Sequence, residues 1–109
     1  MHIYLSGPIS GHDLETRRLD FAAIQQTLEA LGHTVFNPMR NGLPAEASTH
    51  RHMHADITAL LQCDAIFMMT GWLHSKGCKL EFDVATAIGL SVYFEEAQAI
   101  PKSNPIKFK

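Results

Sequence analysis

Short apolar runs and longer stretches of helical periodicity alternate along this chain, and that alternation restricts the fold more than any other property of the sequence. Residues 2–6, 34–37, 65–69 and 91–94 are strand-length apolar runs, the first stopped by Gly7-Pro8 and the second by Pro38. Between the first two, residues 14–31 place Phe21, Ile24, Leu28 and Leu31 at helical spacing, with Asp13 positioned to cap the start and Gly32 to stop the end. Residues 50–62 carry Met53, Ile57, Leu60 and Leu61 on one stripe, and a third helix follows the 71–77 loop and ends near Gly89. Residues 39–49, which include Gly42 and Pro44, read as a loop. Strands alternating with crossover helices predict an α/β fold with a mostly parallel sheet covered on both faces. Ligands of such sheets bind beyond the carboxyl ends of the strands, where the strand order reverses. That rule brings the 7–11 loop and the 71–77 loop to one rim.

A chain of 109 residues is long enough for one core and too short for two. The expected domain is 1–95, followed by a tail, 96–109, that holds Pro101, Pro105 and three lysines and is either an extended edge or mobile. Hydrophobic residues at 46% and a formal net charge of -2 describe an ordinary soluble protein. The nine Lys and Arg residues are mostly scattered, so binding to long nucleic acid has little electrostatic support. No stretch approaches the ~20 apolar residues of a membrane span. The opening residues lack the basic and long apolar regions of a signal peptide, so the expected location is the cytoplasm. Cys63 and Cys78 have no metal or redox spacing and read as small, reduced, apolar residues.

Within this frame one residue is out of place. On the third helix Leu80, Val84, Ala87 and Ile88 are expected to form an apolar arc, and Glu81 projects into it between Ile88 and Ala85. A carboxylate there is costly to desolvate unless it is paired, hydrogen-bonded or open to a pocket. Burial raises its pKa, while the nearby helix N-terminus lowers it. Glu81 is thus either a nucleophile or base, or an acid that only interacts with its own helix end. Ser75-x-Gly77 before the same helix is either an anion seat or a simple cap. Asp56 is either a second carboxylate of the pocket or a solvated helix acid, and Tyr4 either turns its hydroxyl toward the pocket or is a core tyrosine. Trp72 either walls the pocket against a base or sugar or anchors its loop. The segment Ser6-Gly7-Pro8-Ile9-Ser10-Gly11 is a close-approach loop or a plain turn. It is not the G-x-G-x-x-G dinucleotide fingerprint, and no phosphate loop of the G-x-x-x-x-G-K-[ST] type is present. His50, His52 and His54 alternate, which spreads them around a helix and argues against a metal site.

Three ordered blocks carry a resemblance: Ile3-Tyr4-Leu5-Ser6-Gly7-Pro8-Ile9-Ser10-Gly11, Asp56-Ile57-x-x-Leu60-x-x-Cys63-Asp64-Ala65-Ile66, and Gly71-Trp72-x-x-Ser75-Lys76-Gly77-x-x-x-Glu81. Together they resemble the nucleoside 2-deoxyribosyltransferase-like superfamily, in particular its deoxynucleoside 5'-monophosphate N-glycosidases. The resemblance implies a flavodoxin-like (Rossmann-like) three-layer sandwich with a four- to five-stranded, mostly parallel sheet. It implies that Glu81 attacks C1' to form a covalent sugar ester, that Asp56 binds a sugar hydroxyl or assists proton transfer, and that Tyr4 orients Glu81. Gly7, Ile9, Ser10, Gly11, Trp72, Ser75 and Gly77 would contact sugar or phosphate. The serine at position 75, where transferases acting on free nucleosides carry aspartate, favours a 5'-phosphate. Two positions depart from the monophosphate hydrolases. Lys79 stands where they carry a second glycine, and Ser10 stands where they carry an arginine, so either Lys76 or Lys79 supplies the positive charge or the pocket takes a different ligand.

The resulting expectation is a hydrolase of the N-glycosidic bond of a (deoxy)nucleoside 5'-monophosphate, with no metal or organic cofactor. The resemblance also implies a homodimer or higher homo-oligomer. The alternatives are a base-exchanging deoxyribosyltransferase and a non-catalytic module that binds or senses a nucleotide.

Overall fold

The computed structural model describes residues 1–95, and the predicted tail, 96–109, lies outside the described residues. The chain runs β1 (His2–Ser6), α1 (Leu14–Ala30), β2 (Thr34–Phe36), α2 (Thr49–Leu60), β3 (Ala65–Met68), α3 (Lys76–Ala87) and β4 (Ser91–Phe94). The strands form one parallel sheet in the order β2-β1-β3-β4, as the alternation of strands and helices predicts. The order reverses between β1 and β3, whose last residues Ser6 and Met68 are register partners. Just beyond them Met69 N–H donates to the Ser6 carbonyl at 2.7 Å, so the two outgoing loops leave the sheet side by side.

Period-two alternation on the strands sorts the core into two layers. Ile3 and Leu5 of β1, with Ala65 and Phe67 of β3, pack against Phe21 and Leu28 of α1. Tyr4 of β1, with Ile66 and Met68 of β3, packs on the other face against Leu60 of α2 and Cys78 and Ala85 of α3. Ser6, the next residue of that face, is completely buried. The helices begin where side chains can satisfy their first free N–H groups. Asp13 accepts from Thr16 N, Ser48 from Arg51 N, and Ser75 from Cys78 N. Gly32 follows α1 with φ +94, the left-handed conformation that a stop requires.

Several boundaries differ from the sequence expectation. The 39–49 loop is preceded and entered by a 3₁₀ turn, Pro38–Arg40, capped by the Asn37 side chain, which therefore leaves β2 one residue early. A second 3₁₀ turn, Trp72–His74, lies inside the expected 71–77 loop. The larger correction concerns faces. Cys78, Glu81 and Ala85 form the buried face of α3, while Leu80 is 45% and Ile88 46% exposed. Leu80 lies about 100° round the helix from Glu81, and Ile88 falls at the helix end, past the last turn that the sheet covers. Leu61 and Leu31 are likewise exposed helix-end residues, not core.

The turn after β1 is crowded. A Cβ at Gly7 would stand 2.8 Å from Met69 Sδ and 3.0 Å from Phe21 Cζ. Gly7→Ala is therefore expected to lower stability by about 1–3 kcal/mol through displacement of these side chains. Chemical denaturation measures this directly; an unchanged midpoint would mean that Met69 and Phe21 yield freely.

Candidate active site

Three elements converge on Glu81. β1 presents alternate residues Tyr4 and Ser6 to the α2/α3 face, and the first two turns of α3 set Glu81 against them. Tyr4 Oη donates to Glu81 Oε2 at 2.6 Å, and Ser6 Oγ donates to Oε1 at 2.7 Å. Each carboxylate oxygen thus receives one hydrogen bond, which fixes the plane of the group and leaves a lone pair on each oxygen. The Tyr4 ring is itself held by stacking on Phe36, centroid to centroid 5.3 Å.

Glu81 is 8% exposed. Burial pushes its pKa up to about 7; the hydrogen bonds from Tyr4 and Ser6 oppose that rise, and the nearby Asp56 charge adds to it. Burial, with Glu81 and Asp56 beside it, pushes the Tyr4 hydroxyl well above its ordinary range, so Tyr4 remains a donor at any ordinary pH. Asp56 is half-buried, and burial raises its carboxyl above the usual range while a hydrogen bond from Asn41 and the nearby His52 pull it down. Burial also raises the Cys78 thiol, which has the Ser75 and Ser6 hydroxyls beside it.

Asp56 opens onto a cavity of about 350 Å³ whose walls include Ile9 and Ser10 of the first loop and Asn41 and Met39 of the second. The structure therefore brings Tyr4, Asp56 and Glu81 within electrostatic reach of one another, with Ile9 and Ser10 on the wall of the adjoining cavity. Gly77 lies in the first turn of α3 with only Met53 Cε and Ser75 Oγ near the position of a Cβ, both at 3.9 Å. Gly11 is exposed with φ +80 and has nothing within 4 Å of its Cβ position. Ser75 is the α3 cap, its Oγ accepting from Cys78 N at 3.2 Å. Trp72 adopts the anchoring alternative: it is buried against Phe82 and Phe94, at 4.8 and 5.9 Å between ring centroids. Lys76 and Lys79 are exposed. Of the three alternating histidines, His52 is half-buried, whereas His50 and His54 are exposed.

Three residues of the site escaped the sequence reading. Ser6 was visible only as part of a small-residue turn, although its two-residue spacing from Tyr4 puts both on one face of β1. Asn41 lay in a segment with no periodicity to place it. Arg17 reads as one of several solvent-facing charges on α1, but its side chain is only 13% exposed. Its guanidinium lies over the Phe21 ring, 5.4 Å from the centroid, and Nη1 donates to Asp20 at 3.2 Å. Among the described residues, Nε and Nη2 are buried without an acceptor. Arg17 is also close enough to Cys78 to favour its thiolate, which places this charge toward the start of α3.

No helix among the described residues is long and apolar enough to cross a membrane. No curated protein matches the chain. Among solved structures, a 2-deoxyribosyltransferase from Bacillus psychrosaccharolyticus superposes with a TM-score of 0.71 at 20% identity, covering 100% of this chain and 99% of that one. The CMP N-glycosidase of Clostridium botulinum superposes with a TM-score of 0.62 at 21% identity, covering 86% of this chain and 67% of that one. At these identities the likeness is one of fold, and it is the fold that the three sequence blocks imply. Residues 1–94 match the family described as a domain of unknown function (DUF4406), and the chain belongs to that family.

Proposed function

We propose that this protein hydrolyses the N-glycosidic bond of a (deoxy)nucleoside 5'-monophosphate through a covalent glutamyl-sugar intermediate. The observation that carries the reading is the buried Glu81 carboxylate, gripped on both oxygens by Tyr4 and Ser6 and poised with a pKa of about 7. A structural acid gains nothing from such a position, whereas a nucleophile needs both the desolvation and the orientation. Two enzymes that act on nucleoside or nucleotide sugars share the fold.

In the reacting form the two carboxyls hold one proton between them, on Asp56. In the first step a Glu81 oxygen attacks C1', the bond from C1' to the base nitrogen breaks with its electron pair going to the base, and Asp56 supplies that proton to the departing base. Tyr4 and Ser6 hold the carboxylate plane during the attack. In the second step water attacks C1', Asp56 takes a proton back, and Glu81 leaves as a carboxylate. Free base and sugar 5-phosphate result. The 5'-phosphate is assigned to the start of α3, where Ser75 and the backbone at Gly77 offer hydrogen-bond donors. Arg17, with two buried N–H-bearing atoms free of acceptors among the described residues, supplies the positive charge that position 10 lacks.

The direct test incubates wild type and Glu81→Gln with nucleosides and nucleoside monophosphates, with and without a second free base, and follows base release by chromatography. Release from monophosphates by the wild type alone is expected. Turnover that depends on an added base would instead identify a transferase, and tight nucleotide binding without release would identify a sensing module.

The raised Glu81 pKa gives a stability signature. Because the folded value of about 7 lies above the ordinary value of 4.5, the contribution of this group is full below 4.5 and is lost as pH rises through 7. Glu81→Gln is therefore expected to be more stable than wild type at pH 8, by about 2–3 kcal/mol, and to converge with it toward pH 5. Melting curves at the two pH values check the sign.

For turnover, kcat/KM is expected to fall on the acid side of pH 7 as Glu81 protonates. Tyr4→Phe removes a hydrogen bond that lowers the Glu81 pKa, so that limb should move to higher pH; a shift to lower pH would exclude Tyr4 as a donor to the reactive carboxylate. Arg17→Leu should raise KM for the monophosphate by roughly 10- to 100-fold, the loss of a hydrogen bond to a charged group, and leave any activity on the free nucleoside unchanged. An equal effect on both substrates would remove Arg17 from the phosphate site.

A further inference from the structure

One side of the cavity at Asp56 is built from polar atoms that are committed to one another, with Asn41 at the centre. Its amide nitrogen donates to Asp56 Oδ1 at 3.0 Å and to His52 Nδ1 at 3.0 Å, while its side-chain oxygen accepts from Leu43 N at 3.0 Å. Both amide hydrogens are thereby used, and each must meet an acceptor. His52 Nδ1 is consequently the bare ring nitrogen. The ring proton resides on Nε2 and is donated to the Pro44 carbonyl at 3.1 Å. A flipped amide would set oxygen against the Asp56 carboxylate and an N–H group against Leu43 N, so the network has one self-consistent assignment. His52 and Asp56 stand four residues apart on one face of α2, and residues 41–44 are clasped across both.

The clasp makes the two oxygens of Asp56 unlike. Oδ1 is held by Asn41, whereas no hydrogen bond among the described residues engages Oδ2. A proton on this carboxyl is favoured on Oδ2, because Oδ1 already accepts from Asn41.

We propose that Asn41 is a positioning residue for the reaction. It turns Asp56 so that Oδ2 alone exchanges the proton with leaving base and incoming water, and His52, accepting at Nδ1, holds the Asn41 amide in place. The proposal rests on the reading of Asp56 as the assisting carboxylate. The atoms balance without any further reactant: Oδ2 gives one proton to the base in the first step and regains one from water in the second, while Oδ1 keeps its bond to Asn41 throughout.

The groups that bear on the titration of Asp56 come from every neighbouring element. They are His52 on α2, Glu81 on α3, Tyr4 on β1, and Arg18 of α1, which borders the same cavity. Among the described residues Asn41 is the one side chain that hydrogen-bonds the carboxylate directly, and it lowers the pKa of Asp56.

The test uses the full chain. Carbon NMR of the Asp56 carboxyl is titrated in wild type, Asn41→Ala and the isosteric Asn41→Asp, and base release is measured for each and for Asp56→Asn and the Asn41→Ala/Asp56→Asn double variant. Both Asn41 variants should titrate at higher pH than wild type, with Asn41→Asp further displaced because it adds a negative charge. Asn41→Ala should lower kcat roughly 10- to 100-fold, less than the loss of the acid-base group itself, with KM little changed. It should cause no further loss when Asp56 is already asparagine. An Asp56 titration unmoved in both Asn41 variants, or losses that multiply in the double variant, would overturn the proposal. Should the wild type release no base from any substrate, the catalytic reading of the site fails, and the NMR arm separately decides whether Asn41 holds Asp56.

Discussion

The pair of hydrogen bonds that Tyr4 and Ser6 give to Glu81 is the interaction around which the rest of the molecule is arranged. A carboxylate with 8% exposure has no place in an apolar layer unless its lost hydration is replaced, and two hydroxyls from one strand replace part of it. For both to reach, β1 must present Tyr4 and Ser6 on the same face, and α3 must start close enough to the sheet end for its second turn to lie over them. The Ser75 cap sets that start, and the close approach at Gly7 lets the chain leave β1 without pushing α1 and β3 apart.

Electrostatically the site is a cluster of weak acids held short of full ionisation. Glu81, Asp56, Tyr4 and Cys78 are all shifted upward, with burial as the first cause in each case. At neutral pH the two carboxyls oppose folding, because each would be charged in water, whereas Tyr4 and Cys78 are neutral there in either state. Hydroxyl and amide donors offset the cost selectively: Glu81 has two and Asp56 has one. Two carboxyls with similar ordinary pKa values thereby acquire different neighbours.

The sequence made most of the fold legible because its signals are local. The four strands and three helices follow from periodicity, Asp13 and Gly32 from helix-end chemistry, and the anomaly of Glu81 from a charge among apolar neighbours. The same periodicity misjudged Leu80 and Ile88, since a helix pattern shows which residues share a face but not which part of that face the sheet covers. Trp72 had two roles open, and its burial with Phe82 and Phe94 depends on contacts across 22 residues of chain that no local pattern encodes. Ser6, Arg17 and Asn41 were missed for a related reason. A serine at a turn, an arginine on a polar helix and an asparagine in a loop are ordinary in themselves, and acquire their roles only from partners brought together by folding.

The cradle of Glu81 is built on β1 and α3, whereas one side of the adjoining cavity belongs to residues 38–49, joined to α2 through Asn41 and His52. The two halves are carried by separate parts of the chain and share no backbone hydrogen bond between them. Residues of that segment other than Asn41 can therefore be exchanged while the Glu81 carboxylate keeps its geometry, so that, on the proposed function, descendants of one such chain would retain the same bond-breaking chemistry and diverge in the molecules on which they perform it.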